Sequence, residues 1–275
     1  RIHTKYNQTG SATGRVSSSD PNLQNIPVRT ELGRKVRTAF IPRMDWHFIA
    51  ADYSQIELRV LAHLSKDPAL LNAFLNNQDI HASTASQVYK TNIESVDPEM
   101  RRVAKVMNFG VIYGLSPYGI SQQTDLSAAQ GAEFIKQYFS EYAGIYGYLE
   151  ETKVKARELG YVETLAGRRR YIPEISSPNF QVRQGAERVA VNMPIQGTAA
   201  DIIKFAMISI DKKLIEANLR SKMLLQVHDE LIFEVPTDEI EIVKSIILDF
   251  MPRAMNLDVP LDVQIKTGFT WGELE

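Results

Sequence analysis

Cysteine is absent from the 275 residues, which excludes disulfides and thiolate metal sites. No apolar run approaches the roughly 18 residues that cross a bilayer, so no membrane partner is expected. Internal repeats and low-complexity tracts are also missing, which removes solenoid architectures. The chain begins with Arg1 and shows no signal-peptide pattern; it reads as a piece of something longer. A strong net charge is lacking too. The balance of −2 argues, by itself, weakly against a nucleic-acid partner.

What is present is ordinary in amount and uneven in place. A hydrophobic fraction of 44% over this length supports one large domain or two modest ones. Residues 1–43 hold eight Lys/Arg (Arg1, Lys5, Arg15, Arg29, Arg34, Lys35, Arg37, Arg43) against Asp20 and Glu31. Residues 229–275 hold eleven Asp/Glu against Lys244, Arg253 and Lys266. The asymmetry fits a basic face for a polyanion and an acidic region elsewhere. Two ordinary solvated surfaces explain the charges at least as well.

Periodicity predicts strands near both ends and helices between them. HFIAADY (47–53) and the pair KMLLQV (222–227) and ELIFEV (230–235) read as strands, and VPLDVQIKT (259–267) as a last alternating one. SQIELRVLAHL (54–64) reads as a helix, as does the stretch from about Asp238 to Met255. GYVETLAGRRRYIP (160–173) reads as a hairpin ending in a basic cluster. NFQVRQGAERVAVNM is helical up to Pro194, and a separate long helix covers 199–217. The expectation is an α+β fold: an antiparallel sheet completed by both ends of the chain and backed by helices, with a helical subdomain inserted.

Two segments carry the chemistry. LLQVHDELIFEV (224–235) sets His228, Asp229 and Glu230 between apolar runs. A hairpin turning at His228-Asp229 would hold a carboxylate outward at a rigid sheet edge; the alternative is an ordinary polar turn. Asp52 ends another apolar strand, and if that strand pairs beside the hairpin the two carboxylates converge. Hard oxygen donors without a His/Cys set suit Mg²⁺, and suit a pair of ions serving phosphoryl transfer. Ser54-Gln55-Ile56-Glu57 also fits a capping box, which gives Glu57 a structural reading.

The second segment is DPEMRRVAKVMNFGVIYG (97–114). Arg101, Lys105, Phe109 and Ile112/Tyr113 fall on one slowly drifting helix face, cations first and aromatics after. At about 6 Å per four residues that spacing suits phosphates and then a sugar or base. Gly110 and Gly114 are read as leaving room for a planar ligand. The alternative is an amphipathic helix with Phe109 and Tyr113 in the core.

DYSQIELR, RRVAKVMNFGVIYG and QVHDE resemble motifs A, B and C of the family A DNA polymerases. SATGRVSSSDPNLQNIP, DIHASTA, RRRYIP and NMPIQGTAADIIK are similar to that family as well, so the likeness runs along essentially the whole chain. It implies a palm from residues 1–65 and 196–275, fingers at 66–195, and a bacterial DNA-directed DNA polymerase of replication and repair. The family's thumb would precede residue 1 and is expected to be absent, which leaves the activity of this chain alone in question. The resemblance implies two Mg²⁺ ions, with Mn²⁺ as a possible substitute, on Asp52, Asp229 and the Tyr53 backbone, with Glu230 close by. It also implies contacts to the dNTP. Arg101, Lys105 and His81 would meet the phosphates, with Lys105 protonating the pyrophosphate. Phe109 would pack on the sugar and base, Tyr113 would border the templating position, and Glu57, beside Gln55, would exclude a 2′-hydroxyl. Arg15, Asn25, Arg188, Asn192, Gln196 and His228 match positions near the DNA. Their donors would test pair shape through minor-groove acceptors common to all pairs. The implied partners are primer-template DNA and dNTP, and the implied state is a cytoplasmic, nucleoid-associated monomer. The usual T-x-T-G-R reads Ser11-Ala-Thr-Gly-Arg15 here. The rivals are a single-subunit RNA polymerase, a dNTP/DNA-binding module with little turnover, and a two-metal nuclease.

Overall fold

The computed structural model describes residues 1–27 and 30–274, so Arg29 of the N-terminal cations lies outside the described residues. In chain order its elements are β1 (Lys5–Asn7), β2 (Ser17–Ser19), α1 (Glu31–Thr38), β3 (Trp46–Tyr53), α2 (Ile56–Ser65), α3 (Pro68–Leu75) and α4 (Ile80–Tyr89). Then come α5 (Pro98–Ile112), α6 (Pro117–Ser121), α7 (Ala128–Glu141), α8 (Ala143–Leu159), β4 (Tyr161–Glu163), β5 (Arg169–Tyr171) and α9 (Phe180–Glu216). β6 (Lys222–Val227), β7 (Glu230–Pro236), α10 (Ile240–Phe250) and β8 (Val263–Gly268) complete the chain. The fold is α+β. It divides into one unit of residues 1–56, 199–256 and 261–275, and a second of 57–198 and 257–260.

In the first unit a four-stranded antiparallel sheet runs β6-β7-β3-β8. β3 is central and apolar on both faces, as a strand covered on both sides must be. Phe48 to Ala51 and Tyr53 are buried, and Asp52 alone in that run is exposed. One face packs Phe48, Ala50, Val227 and Ile232 with Leu23, Trp271 and Leu274. A buried charge sits at the far end of β7: Glu234 is 1% exposed. It accepts Arg1 Nη2 through both oxygens at 2.7 and 3.0 Å, and the Arg43 backbone N–H at 3.0 Å, so it is desolvated but fully partnered.

Glu239, entering α10, collects more. It accepts the Ser221 hydroxyl at 2.6 Å, the backbone N–H groups of Arg220 and Ser221 at 3.0 Å, and Arg220 Nε at 3.0 Å. Burial alone would raise its carboxyl; these donors outweigh it and hold the group at about 2, below the ordinary 4.5. A depressed carboxyl contributes stability above its unfolded value and loses it as pH falls through the folded one. Glu239→Gln is therefore expected to lower stability by about 1 kcal/mol at neutral pH, a figure discounted for the solvent around Arg220. The loss should shrink between about pH 4.5 and about pH 2, as urea melts at several pH values would show.

The second unit is helical, with β4 and β5 as its one described hairpin. Asp67, 1% exposed, joins two of its helix starts. Oδ1 caps α3 through Ala69 N and Leu70 N at 3.1 Å, and Oδ2 takes Gly144 N at 2.9 Å at the start of α8. Each helix start leaves orphan N–H groups, and one carboxylate satisfies both sets. Gly144 is required there, because a Cβ would lie 2.8 Å from Asp67 Cα.

Several expectations are corrected. Pro194 does not end a helix: α9 runs through it from Phe180 to Glu216. The lost hydrogen bond costs about 3 kcal/mol. Ala190, Val191, Met193 and Ile195 are buried on either side and offset it, at about 1.5–3 kcal/mol per large apolar side chain. α10 stops at Phe250 rather than Met255, with turn and bend beyond. α2 begins at Ile56, because Gln55 stands in the left-handed region at φ +55°. The capping-box register needs Gln55 in the first turn, so Ser54 does not occupy the N-cap position it requires.

Candidate active site

The hairpin answers the question its sequence raised. β6 and β7 pair with Val227 opposite Glu230, which leaves His228-Asp229 as a two-residue turn. His228 takes φ +55°, a region where histidine is commoner than most side chains. Gln226 holds the turn by donating Nε2–H to the His228 carbonyl at 3.2 Å. Behind it the Tyr6 hydroxyl bridges both backbone groups of Gln226 at 3.0 Å, at the edge of the sheet.

β7 then pairs with β3, placing Asp52 opposite Glu230, and the Tyr53 N–H donates to the Asp229 carbonyl at 3.3 Å. Asp52 and Asp229, far apart in sequence, thus meet at one sheet end. Burial, and next the Asp229 carboxylate, push the Asp52 carboxyl up to about 6, against a smaller pull from Lys266. Solvent still reaches Asp52, so this shift carries less energy than one in a closed core. Burial pushes Asp229 up as well, opposed by Arg15 and His228; Arg15 Nη2 stands 3.9 Å from Asp229 Oδ1.

Two crowded carboxylates of one sign suit a hard divalent cation, which replaces their repulsion with attraction. Among the described residues no three His, Cys, Asp or Glu side chains gather as a metal cage. A two-carboxylate set fits Mg²⁺, which commonly takes its other ligands from water and substrate phosphates.

In the second unit α5 starts on its Asp97 cap, which accepts from Met100 N, and Pro98 fits the first turn. Arg101 and Lys105 are exposed on it, and Phe109 is half-buried. Ile112 leaves that face for the core at 0% exposure. Arg101 Nε lies 2.8 Å from Oδ2 of Asp79, whose other oxygen caps α4. Such a half-exposed pair is worth about 1 kcal/mol or less, so a phosphate can displace it. His81, in the first turn of α4, is 3% exposed, with its ring 5.7 Å from that of Phe109. Burial, with Arg101 and Lys105, pushes its imidazole down to about 4 against the pull of Asp79, so the ring is neutral at pH 7.

Residues 1–273 match DNA polymerase family A. The chain belongs to DNA polymerase family A. It is 52% identical over 272 residues to DNA polymerase I of Bacillus subtilis, covering 98% of this chain and 31% of that protein. It is 50% identical to the thermostable DNA polymerase I of Thermus filiformis, covering 99% of this chain and 32% of that one. Among solved structures it is similar to the POL domain of Pol1 from M. smegmatis in complex with DNA primer-template and dNTP. The TM-score there is 0.96 at 49% identity, over 100% of this chain and 48% of that one. The chain spans about a third of the length of the curated relatives it matches.

The remaining family A motif residues take definite places. Glu57, 6% exposed, accepts the Tyr113 hydroxyl at 3.2 Å, and that hydroxyl accepts Gln196 Nε2 at 3.2 Å. Residues 57, 113 and 196 thus form one hydrogen-bonded line. Arg188, Asn192 and Gln196 follow one another at four-residue spacing on α9, and the buried Asn192 Nδ2 has no hydrogen-bond partner. Asn25 is exposed at the end of a short 3₁₀ turn.

The two glycines of motif B do not hold space for a planar ligand. A Cβ at Gly110 would lie 2.5 Å from Leu115 Cδ2, and one at Gly114 2.7 Å from Arg188 Cγ. Their emptiness is already filled by those side chains, and Gly114 also needs its φ of +66° to end the helix. Sequence reasoning missed Asp79 as the partner of Arg101. Its place before Ile80-His81 signals a cap, and nothing local signals the pairing.

Proposed function

We propose that this chain performs template-directed DNA synthesis, with residues 1–65 and 196–275 as palm and 66–195 as fingers. The primer 3′-hydroxyl oxygen attacks the α-phosphorus of a dNTP. A P–O bond forms as the hydroxyl proton passes to solvent, the α–β bridge breaks, and pyrophosphate leaves. The observation that carries the reading is the meeting of Asp52 and Asp229 at one sheet end, in a chain half identical to proteins named DNA polymerase I.

Asp52, Asp229 and the Tyr53 carbonyl would hold Mg²⁺, with Glu230 alongside; bound there, the ions supply Lewis-acid charge stabilisation at the phosphates. The other steps belong to side chains. Arg101 exchanges Asp79 for a phosphate, and His81 donates to a second oxygen. Lys105 neutralises the triphosphate and gives a proton to the departing pyrophosphate. Phe109 carries the sugar and base, and Tyr113 borders the template base. Arg15, Arg188, Asn192, Gln196 and His228 place donors toward the duplex.

Extension of a labelled primer-template by this chain with four dNTPs and Mg²⁺ tests the proposal. Binding of dNTP and DNA with no extension at high enzyme would support the binding-module rival instead.

Glu57 is expected to select the sugar. A buried carboxylate held by Tyr113 has no room for a 2′-hydroxyl. Glu57→Ala should raise rNTP use relative to dNTP by about tenfold or more, equivalent to losing about 1.4 kcal/mol of discrimination. Single-nucleotide kcat/KM with matched rNTP and dNTP measures it, and an unchanged ratio leaves Glu57 as a partner of Tyr113 only.

A further inference from the structure

Behind the cationic helix the buried polar groups form a chain whose donor direction can be counted. Thr84, 0% exposed, places Oγ1 2.8 Å from the Ile80 carbonyl oxygen, 3.0 Å from Asn108 Nδ2 and 3.0 Å from the Tyr142 hydroxyl. A hydroxyl has one proton and two lone pairs. The Ile80 oxygen can only accept and is nearest, so the Thr84 proton goes there. The lone pairs then accept one proton from Asn108 Nδ2 and the proton of Tyr142.

Asn108 Nδ2 has a second proton, and His81 Nδ1 lies 3.1 Å from it. Nδ1 is therefore an acceptor. The amide orientation carries this assignment: with Oδ1 in that place, Nδ1 would instead have to donate, and the histidine spectrum below distinguishes the two. A neutral imidazole has a single proton, and with Nδ1 accepting it must sit on Nε2.

We propose that Asn108 is a positioning residue for the nucleotide: its Nδ2 holds His81 as the Nε2–H tautomer, so that His81 offers an uncharged hydrogen-bond donor to a phosphate oxygen. This rests on the reading of His81 as a phosphate contact. The charged groups acting on the ring are Arg101 and Lys105 on α5 and Asp79 on its own side. With two cations already facing the triphosphate, a third charge on a buried ring would be repelled by both. A neutral donor adds direction without that repulsion, but only if its proton is on the outer nitrogen. The other tautomer would turn a lone pair toward an anion. Asn108 itself is 1% exposed, so its effect is exerted through His81.

Nitrogen-15 NMR of the whole chain, labelled at histidine and assigned by the signal lost in His81→Gln, tests the tautomer directly. The expected spectrum at neutral pH has an unprotonated Nδ1 and a protonated Nε2; a protonated Nδ1 overturns the proposal. Asn108→Asp presents only acceptors to the ring and is expected to draw the proton to Nδ1. KM for dATP should then rise about tenfold, the weight of one such hydrogen bond, with a smaller change in kcat. Thr84→Ser keeps the hydroxyl and should retain both the wild-type tautomer and KM. A tautomer reversed with dATP KM unchanged overturns the positioning role. Separately, a dATP KM unaltered by His81→Gln removes the phosphate reading of His81, and the role of Asn108 falls with it. If Asn108→Asp fails to fold, the wild-type spectrum still decides.

Discussion

Replacing Asp229 by alanine is expected to lower primer extension by at least ~10³-fold, and Asp52→Ala to do the same. Lewis-acid stabilisation of phosphoryl-transfer charge is worth several kcal/mol, and each 1.36 kcal/mol is tenfold in rate. The loss should be one of chemistry and not of folding. The Asp52 carboxyl is raised to about 6, by burial first and then by Asp229, so ionising it at neutral pH works against the folded state. For a raised carboxyl the stabilising contribution is present below the unfolded value of 3.8 and lost as pH rises through about 6. Asp52→Asn removes that loss, so its melting temperature at neutral pH without divalent ions should equal or exceed that of the parent. Below about pH 4 the two should converge. Added Mg²⁺ should raise the parent's melting temperature and leave the Asn variant's nearly unchanged. Near-normal extension by Asp229→Ala would remove the metal assignment.

Phe109→Tyr is expected to improve incorporation of dideoxynucleotides by about ten- to a hundredfold while dNTP use changes little. Phe109 is half-buried on α5, its ring 5.7 Å from that of His81, and the proposed function sets it under the incoming sugar. A normal sugar offers its 3′-hydroxyl to its own phosphate. A dideoxy sugar lacks that group, and a phenyl ring has no polar atom to replace it. A tyrosine hydroxyl both donates and accepts. A hydrogen bond to a charged group is worth about 1.5–3 kcal/mol, which sets the range. The measurement is kcat/KM for ddNTP and dNTP on one template with both proteins. An unchanged ratio would return Phe109 to the role of a core aromatic beside His81.

How much of the site was legible in the sequence follows from how locally each part is specified. The cap at Asp97, the Pro98 start and the spacing of Arg101, Lys105 and Phe109 depend on helix geometry within a few residues, and all are present as expected. The His228-Asp229 turn was legible for the same reason, since strand patterning brackets it to two residues. Where a local rule met a tertiary competitor it failed. Pro194 should stop a helix, but the buried side chains on both sides of it outweigh one lost hydrogen bond. Ser54-x-x-Glu57 should cap, but the chain leaves β3 through a left-handed Gln55 and begins the helix one residue late. Gly110 and Gly114 looked like space for a ligand because a sequence does not show which side chain fills the space a glycine leaves. Leu115 and Arg188 fill it.

The sequence by itself determined the α+β character, the segments that form strands and helices, and, through three motifs, the family. Local hydrogen bonding and hydrophobic period set these, and neither needs a distant partner. Only the tertiary structure decided that Asp52 lies beside Asp229, that Asp79 holds Arg101, and that Asn108 faces His81. Each is a pairing between groups remote in the chain, fixed by strand register or by helix packing. No window of sequence carries the energy of a contact whose other half lies outside it.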